Sequence, residues 1–526
     1  MTATDSQPDA DRAAALKDVL RNAIAAIEAP TDPNLAGSKS AQPSPDFTNC
    51  GKAEAPEMPV GQGPKRLKRV PFTVSRLMEF CTKPELMNQT GHHWRLWPLV
   101  IGKEITDNAM DAAEEAEIAP IISITVSTKR GTIIIEDNGP GIPAKTIESV
   151  LNYSIRVSSN EAYVSPTRGQ QGNALKAILA MNYVMDTRGD DACGKTVIEA
   201  HGIEHTIAFS VDHIKQEPKI SHTTKPSTVV KGTRITVTLP KIRQGENYII
   251  DTIDENEIRF MNLAESYAWL NPHLTLKVKW NGKVRIDVKA SNPDWKKWLP
   301  SWPTCPHWYG VSDLRRYMAA HIAYRKTVTV REFISEFGGM TGSAKQKKVL
   351  AEIGAAYMRL HNFFGLHKPD TPNIKKMLAS LKRHTKPVRP ADLGVIGKEH
   401  FFALIEAAGG DPKTFKYKII PGVKNGVPSV VETAFGIHAS GLTAGNAAPK
   451  RRLITGVNWS AAIGNPFRTL GKSGDGLDAL MTAVRADYGA PVIACVHVAC
   501  PRVRYLDRGK TQIVVDDEEG GDGEEE

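Results

Sequence analysis

Between Phe72 and about Pro300 one helical segment, Pro98 to Ala116, precedes six short runs rich in β-branched residues: IISITVST, GTIIIED, TVIEAHG, HTIAFSV, TRITVTL and LTLKVKW. Apolar residues recurring every second position between turn residues make strands, so one long helix ahead of so many strands leaves few packings. The expected result is a helix layer over one mostly antiparallel sheet. From about residue 311 to 380 the pattern switches to helical periodicity with basic faces, and from about 391 helices and strands alternate again. A chain of 526 residues has room for about three such units. No internal repeat is visible.

Two segments stand outside this pattern. Residues 1–70 join an amphipathic stretch, Ala13 to Ile27, to a Pro/Ser/Gly-rich segment that cannot bury a core, which reads as a docking helix on a disordered arm. The last eleven residues, 516–526, hold eight acids, so the net charge of +9 conceals a body at +17. A body that basic suggests an anionic partner such as duplex DNA, bound with little sequence preference, and the clusters Lys65 to Arg69, Lys345 to Lys348 and Lys450 to Arg452 are candidate footprints. The acidic N-terminus has no secretory pattern, and no run of about 18 apolar residues offers a membrane span. Six cysteines lie scattered without a CxxC pair, and the group Cys495, His497, Cys500 lacks a fourth ligand at zinc-site spacing. A reducing cytoplasm is expected, with a DNA-bound protein associated with the nucleoid.

The chemistry begins in the helix GKEITDNAMDAAEEA. Glu104, Asn108 and Asp111 fall at i, i+4 and i+7, on one face. An amide oxygen beside phosphates suits a magnesium ion, and a nearby carboxylate can deprotonate an attacking water. The next apolar strand ends at Asp137 and runs into Asn138-Gly139-Pro140-Gly141-Ile142, where a carboxylate can accept from an exocyclic amine and glycines let the backbone pass close to a base. Some thirty residues on, Thr167-Arg168-Gly169-Gln170-Gln171-Gly172-Asn173-Ala174 opens a helix whose amides favour phosphate. Lys231-Gly232-Thr233-Arg234 then puts a hydroxyl at the start of a strand. Gly509-Lys510-Thr511 and Gly471-Lys472-Ser473 look like the end of a Walker loop but lack its first glycine, so neither is a P-loop.

These four features, in this order, resemble the gyrase, chaperone, histidine-kinase and mismatch-repair ATPase superfamily of the Bergerat fold, most closely the B subunits of topoisomerase VI. The resemblance implies ATP and Mg2+ as cofactors, Glu104 as general base, Asn108 as magnesium ligand, Asp137 as adenine reader, Gly169 and Gly172 as the phosphate loop and Thr233 as the last adenine contact. Asp111, Gly139, Gly141, Ile142, Arg168, Gln170, Gln171 and Asn173 complete the expected nucleotide site. The superfamily loop often continues with another glycine, whereas here Asn173-Ala174-Leu175-Lys176 follows Gly172, making Lys176 a candidate phosphate charge.

Downstream, Tyr267 to His273, and Pro306 to Val311 leading a helix, resemble that family's entry into a helix-two-turn-helix insert, with helices near Val311 to Tyr324, Val330 to Glu336 and Ser343 to Ile353. Ala391 to Gly397, Ser429 to Ile437 and the strand Val492 to Ala499 look like a transducer of the ribosomal-S5-like type. The loop Tyr505 to Lys510 then implies Lys510 as a sensor of the terminal phosphate. The expected fold is therefore α+β and multidomain: an ATP-binding α/β sandwich over 71–300, a helical insert over 301–385 and an α/β transducer over 386–515. The implied function is an ATPase that dimerises on ATP and gates DNA passage for a separate topoisomerase VI A-like cleaving subunit. The family's long helix after the sensor lysine is missing from 511–526, which keeps open a stand-alone ATP-gated DNA clamp; a histidine kinase would need a dimerisation helix with a phospho-acceptor histidine before the pocket.

Overall fold

A computed structural model describes residues 80–153, 163–169, 174–186, 195–212, 214, 217–244, 248–324, 327–365, 369–439, 450–468, 476–507 and 509–513. The expected arm, the acidic tail and the loop residues Gln170, Gln171, Gly172 and Asn173 lie outside them. Among the described residues no helix is long and apolar enough to cross a membrane.

The longest helix organises the first half. After α1 (Lys83–Thr90), α2 (Trp97–Glu115) starts on Pro98, a residue suited to the first turn because its missing N–H would be unpaired there anyway. It is buried nearly all round, since it lies between a sheet and two further helices, α4 and α5. The short α3 (Ala144–Leu151) precedes α4 (Ala174–Met185), and α5 (Glu257–Leu270) crosses close enough that a Cβ on Gly102 would meet the Phe260 ring at 2.8 Å.

The sheet contains β1 (Ile121–Ser127), β2 (Thr132–Asp137), β3 (Lys195–Ala200), β4 (Ile203–Asp212), β5 (Glu217–Pro226) and β6 (Thr233–Thr238). A small hairpin, β7 (Ile242–Gln244) with β8 (Tyr248–Ile250), leads to α5, after which β9 (Thr275–Trp280) and β10 (Lys283–Val288) complete the sheet. Its order is β10-β9-β1-β2-β6-β3-β4-β5, and only the β1–β9 pair is parallel. Alternate residues, among them Ile122, Ile124, Val126, Ile133, Ile135, Ile198, Ile235 and Val237, join Leu99, Ile101 and Met110 of α2 in the core. The helix layer over a mostly antiparallel sheet is thus present, with two edge strands, β5 and β10, beyond the six expected.

Helices follow: α6 (Val311–Tyr324), α7 (Val330–Ser335), α8 (Ser343–Ile353), α9 (Leu360–Phe364) and α10 (Thr371–His384). They gather round Tyr309, Tyr317, Phe333 and Phe337, and Thr329 with Glu332 forms a reciprocal capping box at the start of α7. After α11 (Lys398–Ala407), β11 (Lys416–Lys424), β12 (Val427–Ile437), β13 (Arg452–Val457), β14 (Ser460–Ala461) and β15 (Val492–Ala499) form a second sheet, ordered β11-β12-β15-β13-β14. The central β15 is buried at every position, because one face of the sheet joins the core of the first half and the other covers α12 (Leu477–Ala483).

Candidate nucleotide site

Helix α2 presents Glu104, Asn108 and Asp111 to a cavity of about 470 Å³. That volume falls in the range of small-molecule sites, roughly 300–1,000 Å³. Ile105, Ala109 and Ala112 of the same helix add apolar lining to this cavity. Asn108 is the exposed member of the trio, its amide free to approach a ligand.

Asp137, at the end of β2, closes one side. Its Oδ1 accepts from the backbone N–H of Gly139 at 2.8 Å and of Thr233 at 3.2 Å, whereas Oδ2 accepts no hydrogen bond from the described residues. The carboxylate is therefore fixed through one oxygen and presents the other. Burial pushes its pKa up, and the two N–H bonds oppose that. Thr233, 4% exposed, begins β6 beside it and also lines the cavity. Gly232 makes the approach possible: with φ at +72°, a Cβ there would sit 1.9 Å from the Asp137 carbonyl oxygen. Ile142 and Gly169 line the cavity, whereas Gly139 and Gly141 do not: Gly139 lies against Asp137 Oδ1, and Gly141 lies against His201 and the Gly232 carbonyl.

Two expected ligands are occupied elsewhere. Lys176, 1% exposed, donates to the Asn152 carbonyl at 2.8 Å and lies over the Tyr153 ring. Arg168, 2% exposed, donates to Asp111 Oδ1 at 2.6 Å, to both Glu114 oxygens at 2.6 and 2.7 Å and to Asn271 Oδ1 at 2.7 Å. Neither lines the cavity. Burial alone would lower the Arg168 pKa, but Glu114 and Asp111 outweigh it and hold the guanidinium charged. The same burial raises Asp111, which Arg168 only partly offsets.

Lys510 does reach the cavity, from the loop after β15. Its Nζ donates to the Arg168 carbonyl oxygen, and burial lowers its pKa against the opposing pull of Glu104. The loop is shaped by Asp507, whose carbonyl accepts from the Lys510 N–H at 3.3 Å and whose Oδ1 accepts from the Thr511 N–H at 3.1 Å. It packs backbone to backbone against the end of α1: a Cβ on Gly509 would lie 2.1 Å from the Thr90 carbonyl oxygen and 2.4 Å from Gly91 Cα.

Sequence reasoning missed Lys103 and His92, both on the cavity wall. Lys103 donates to Glu104 Oε1 at 3.1 Å and to Asp107 Oδ2 at 2.8 Å, so a cation sits beside the expected base. Burial would lower its pKa, but Asp107 and Glu104 raise it well above the usual lysine range. Asp107 also accepts from Tyr267 Oη and Ser460 Oγ, each at 2.7 Å. The available signal was the Lys103–Asp107 spacing of one helical turn, on a side of the helix that also carries Asp111 and Glu114. His92 has no motif to mark it; burial and Lys103 push its pKa down to about 4, so it is neutral at neutral pH.

The match to known proteins follows this geometry. Residues 99–243 match the family described as Histidine kinase-, DNA gyrase B-, and HSP90-like ATPase. This segment is similar to an ATPase domain of that family. It contains Glu104, Asn108, Asp111, Asp137, Gly169 and Thr233, whereas Lys510 lies far beyond it. The chain is 27% identical over 262 residues to the B subunit of type 2 DNA topoisomerase 6 from Archaeoglobus fulgidus, covering 49% of this chain and 40% of that protein. It is 31% identical over 285 residues to the corresponding protein of Thermococcus sibiricus, covering 51% and 45%. It thus matches less than half the length of these relatives. The crystal structure of the Saccharomyces cerevisiae topoisomerase II ATPase region aligns at 12% identity and a TM-score of 0.33, covering 79% of this chain and 77% of that one, a likeness too loose to argue from.

The basic clusters divide. Lys345, Lys347 and Lys348 on α8 are exposed, but Arg451 pairs with Asp478 and Arg452 with Glu265, which leaves Lys450 as the exposed cation of its group. Lys65 to Arg69 and Gly471-Lys472-Ser473 lie outside the described residues.

Proposed function

We propose that this chain binds and hydrolyses ATP as the B-like subunit of a topoisomerase VI type enzyme. ATP would close two copies around duplex DNA, and a separate A-like subunit would cleave it. The observation that carries the reading is the meeting of Glu104 and Lys510 in one cavity, the first on the ATPase-domain helix and the second on the loop after the second sheet. A site that draws its groups from two halves of the chain couples nucleotide state to their relative position.

The residues divide the labour. Asp137 Oδ2 and the Thr233 hydroxyl read the adenine edge. Glu104, with Lys103 alongside, orients water and takes its proton. Lys510 stabilises charge on the terminal phosphate. The amide oxygen of Asn108, on the cavity wall, fits a magnesium ion that phosphates and water would mainly hold. Such an ion, when bound, neutralises phosphate charge. The 301–385 helices and the second sheet are read as the helical insert and the transducer.

The test compares Lys510→Ala with Arg508→Ala, a nearby residue of equal charge. Lys510→Ala should cut ATP turnover, leave ADP affinity nearly unchanged and reduce the compaction and dimerisation that a non-hydrolysable ATP analogue produces in small-angle scattering. Equal behaviour of the two variants would remove Lys510 as a phosphate sensor. Purification from the native host, with or without a tyrosine-bearing cleaving subunit, separates the topoisomerase from a stand-alone clamp.

A further inference from the structure

Arg168 leaves the nucleotide to other groups, yet its surroundings are elaborate. Its guanidinium is buried in a cluster built from four segments. Glu114 on α2 accepts from both Arg168 Nη atoms and also meets His273 Nε2 and Lys297 Nζ, each at 2.9 Å. The Lys297 ammonium lies 4.8 Å from the centre of the Trp459 indole. Breaking one partner out of such a buried cluster leaves an uncompensated charge, so the geometry is strongly held.

The second sheet grips the same place. Asn458 and Trp459 form the two-residue turn between β13 and β14, with φ at +50° and +62°. A tight hairpin needs positive φ at both positions, which suits Asn but is a rare state for Trp. The turn is held all the same. The Trp459 N–H donates to His497 Nε2 at 3.1 Å, and its carbonyl accepts from Asn271 Nδ2 at 3.0 Å. Asn458 Nδ2 donates to the Thr167 carbonyl at 3.3 Å while its Oδ1 accepts from the Cys500 N–H at 2.8 Å. The Lys510 ammonium then rests on the carbonyl of the next residue, Arg168.

From this arrangement we infer that Arg168 and the Asn458–Trp459 turn are positioning residues: they fix residues 167 and 168 as the seat on which Lys510 is held at the edge of the nucleotide cavity. The inference rests on Lys510 as the phosphate sensor. A sensor lysine on a flexible stem loses rotamer freedom when it engages phosphate, and a seat beside the site removes much of that cost beforehand. Arg168 acts through its backbone oxygen, while its side chain serves to keep that oxygen still.

The experiment measures the ratio of affinities for a non-hydrolysable ATP analogue and for ADP in the full chain. The variants are Lys510→Ala, Arg168→Met and Asn458→Gly, together with each of the latter two combined with Lys510→Ala. Glycine at 458 keeps the positive φ and removes only the amide, so that variant tests the seat even where Arg168→Met fails to fold. Lys510→Ala should lower the ratio by about ten-fold or more, the loss of a charge-assisted hydrogen bond. Asn458→Gly and Arg168→Met should each lower it by roughly three-fold or more, and neither should lower it further once Lys510 is alanine. A full ratio in Asn458→Gly, or an additive loss in the double variants, overturns the seat while leaving the sensor intact. A full ratio in Lys510→Ala overturns the sensor and the seat together.

Discussion

At the scale of residues, several of the charges on and behind the cavity wall are paired. Lys103 lies between Glu104 and Asp107, and Asp111 lies against Arg168. Glu104→Ala should retain nucleotide, because Asp137 and Thr233 are untouched, and should lose turnover by about 10²-fold or more, as removal of a general base does; unchanged turnover in the purified variant would end its assignment as the base. Asp137→Ala should abolish binding, since a buried adenine amine would lose its acceptor. Tight retention of labelled ATP by that variant would count against the whole pocket. Glu114→Gln should destabilise the protein by about 3–5 kcal/mol in denaturant titration, because Arg168 and Lys297 would remain buried around a neutral amide. Glu104, Asn108, Asp111 and Asp137 were legible because each stands at a fixed offset in a local pattern. The contrary role of Arg168 was not, because its partners Glu114, Asn271 and Trp459 come from separate segments.

At the scale of elements, strands with one buried face announce themselves by period two, and each of the six expected ones begins and ends within two residues of its observed bounds, as where β4 starts at Ile203 rather than His205. β5 escaped notice because it is an edge strand, polar and largely exposed along KISHTTKP, with no apolar alternation to read. β10 does alternate polar and apolar residues along KVRIDV, so the same rule could have found it; only its pairing with β9 is irregular, with a register shift between Val284 and Ile286. The α1 end and the Lys510 loop are joined by a contact that sequence cannot express, two glycines lying against each other. Gly509→Ala should therefore force the loop off α1, lowering ATP turnover at least several-fold while ADP still binds through Asp137; equal turnover in this variant and the wild type would show that the close approach is dispensable.

At the scale of the whole molecule, the body carries an excess of basic charge that the eight acids of residues 516–526 partly offset. If the body binds duplex DNA, its affinity should fall steeply with salt as counterion release weakens, with little sequence preference. Deleting residues 516–526 should tighten the complex if the tail competes with phosphate. Salt-insensitive affinity, or no binding at low salt, would remove DNA as the partner. The contact between Lys510 and Arg168 has a further consequence for how the protein is made. The two residues are 342 positions apart in the chain. At a synthesis rate of about 5–20 residues per second, the ribosome delivers Lys510 roughly 20–70 s after Arg168. In that interval the adenine side of the cavity already exists as sequence, while the phosphate side awaits its cation, so a growing chain can acquire the means to hold a nucleotide well before it can respond to one. Stalled chains released before residue 505 should bind ADP no worse than ATP.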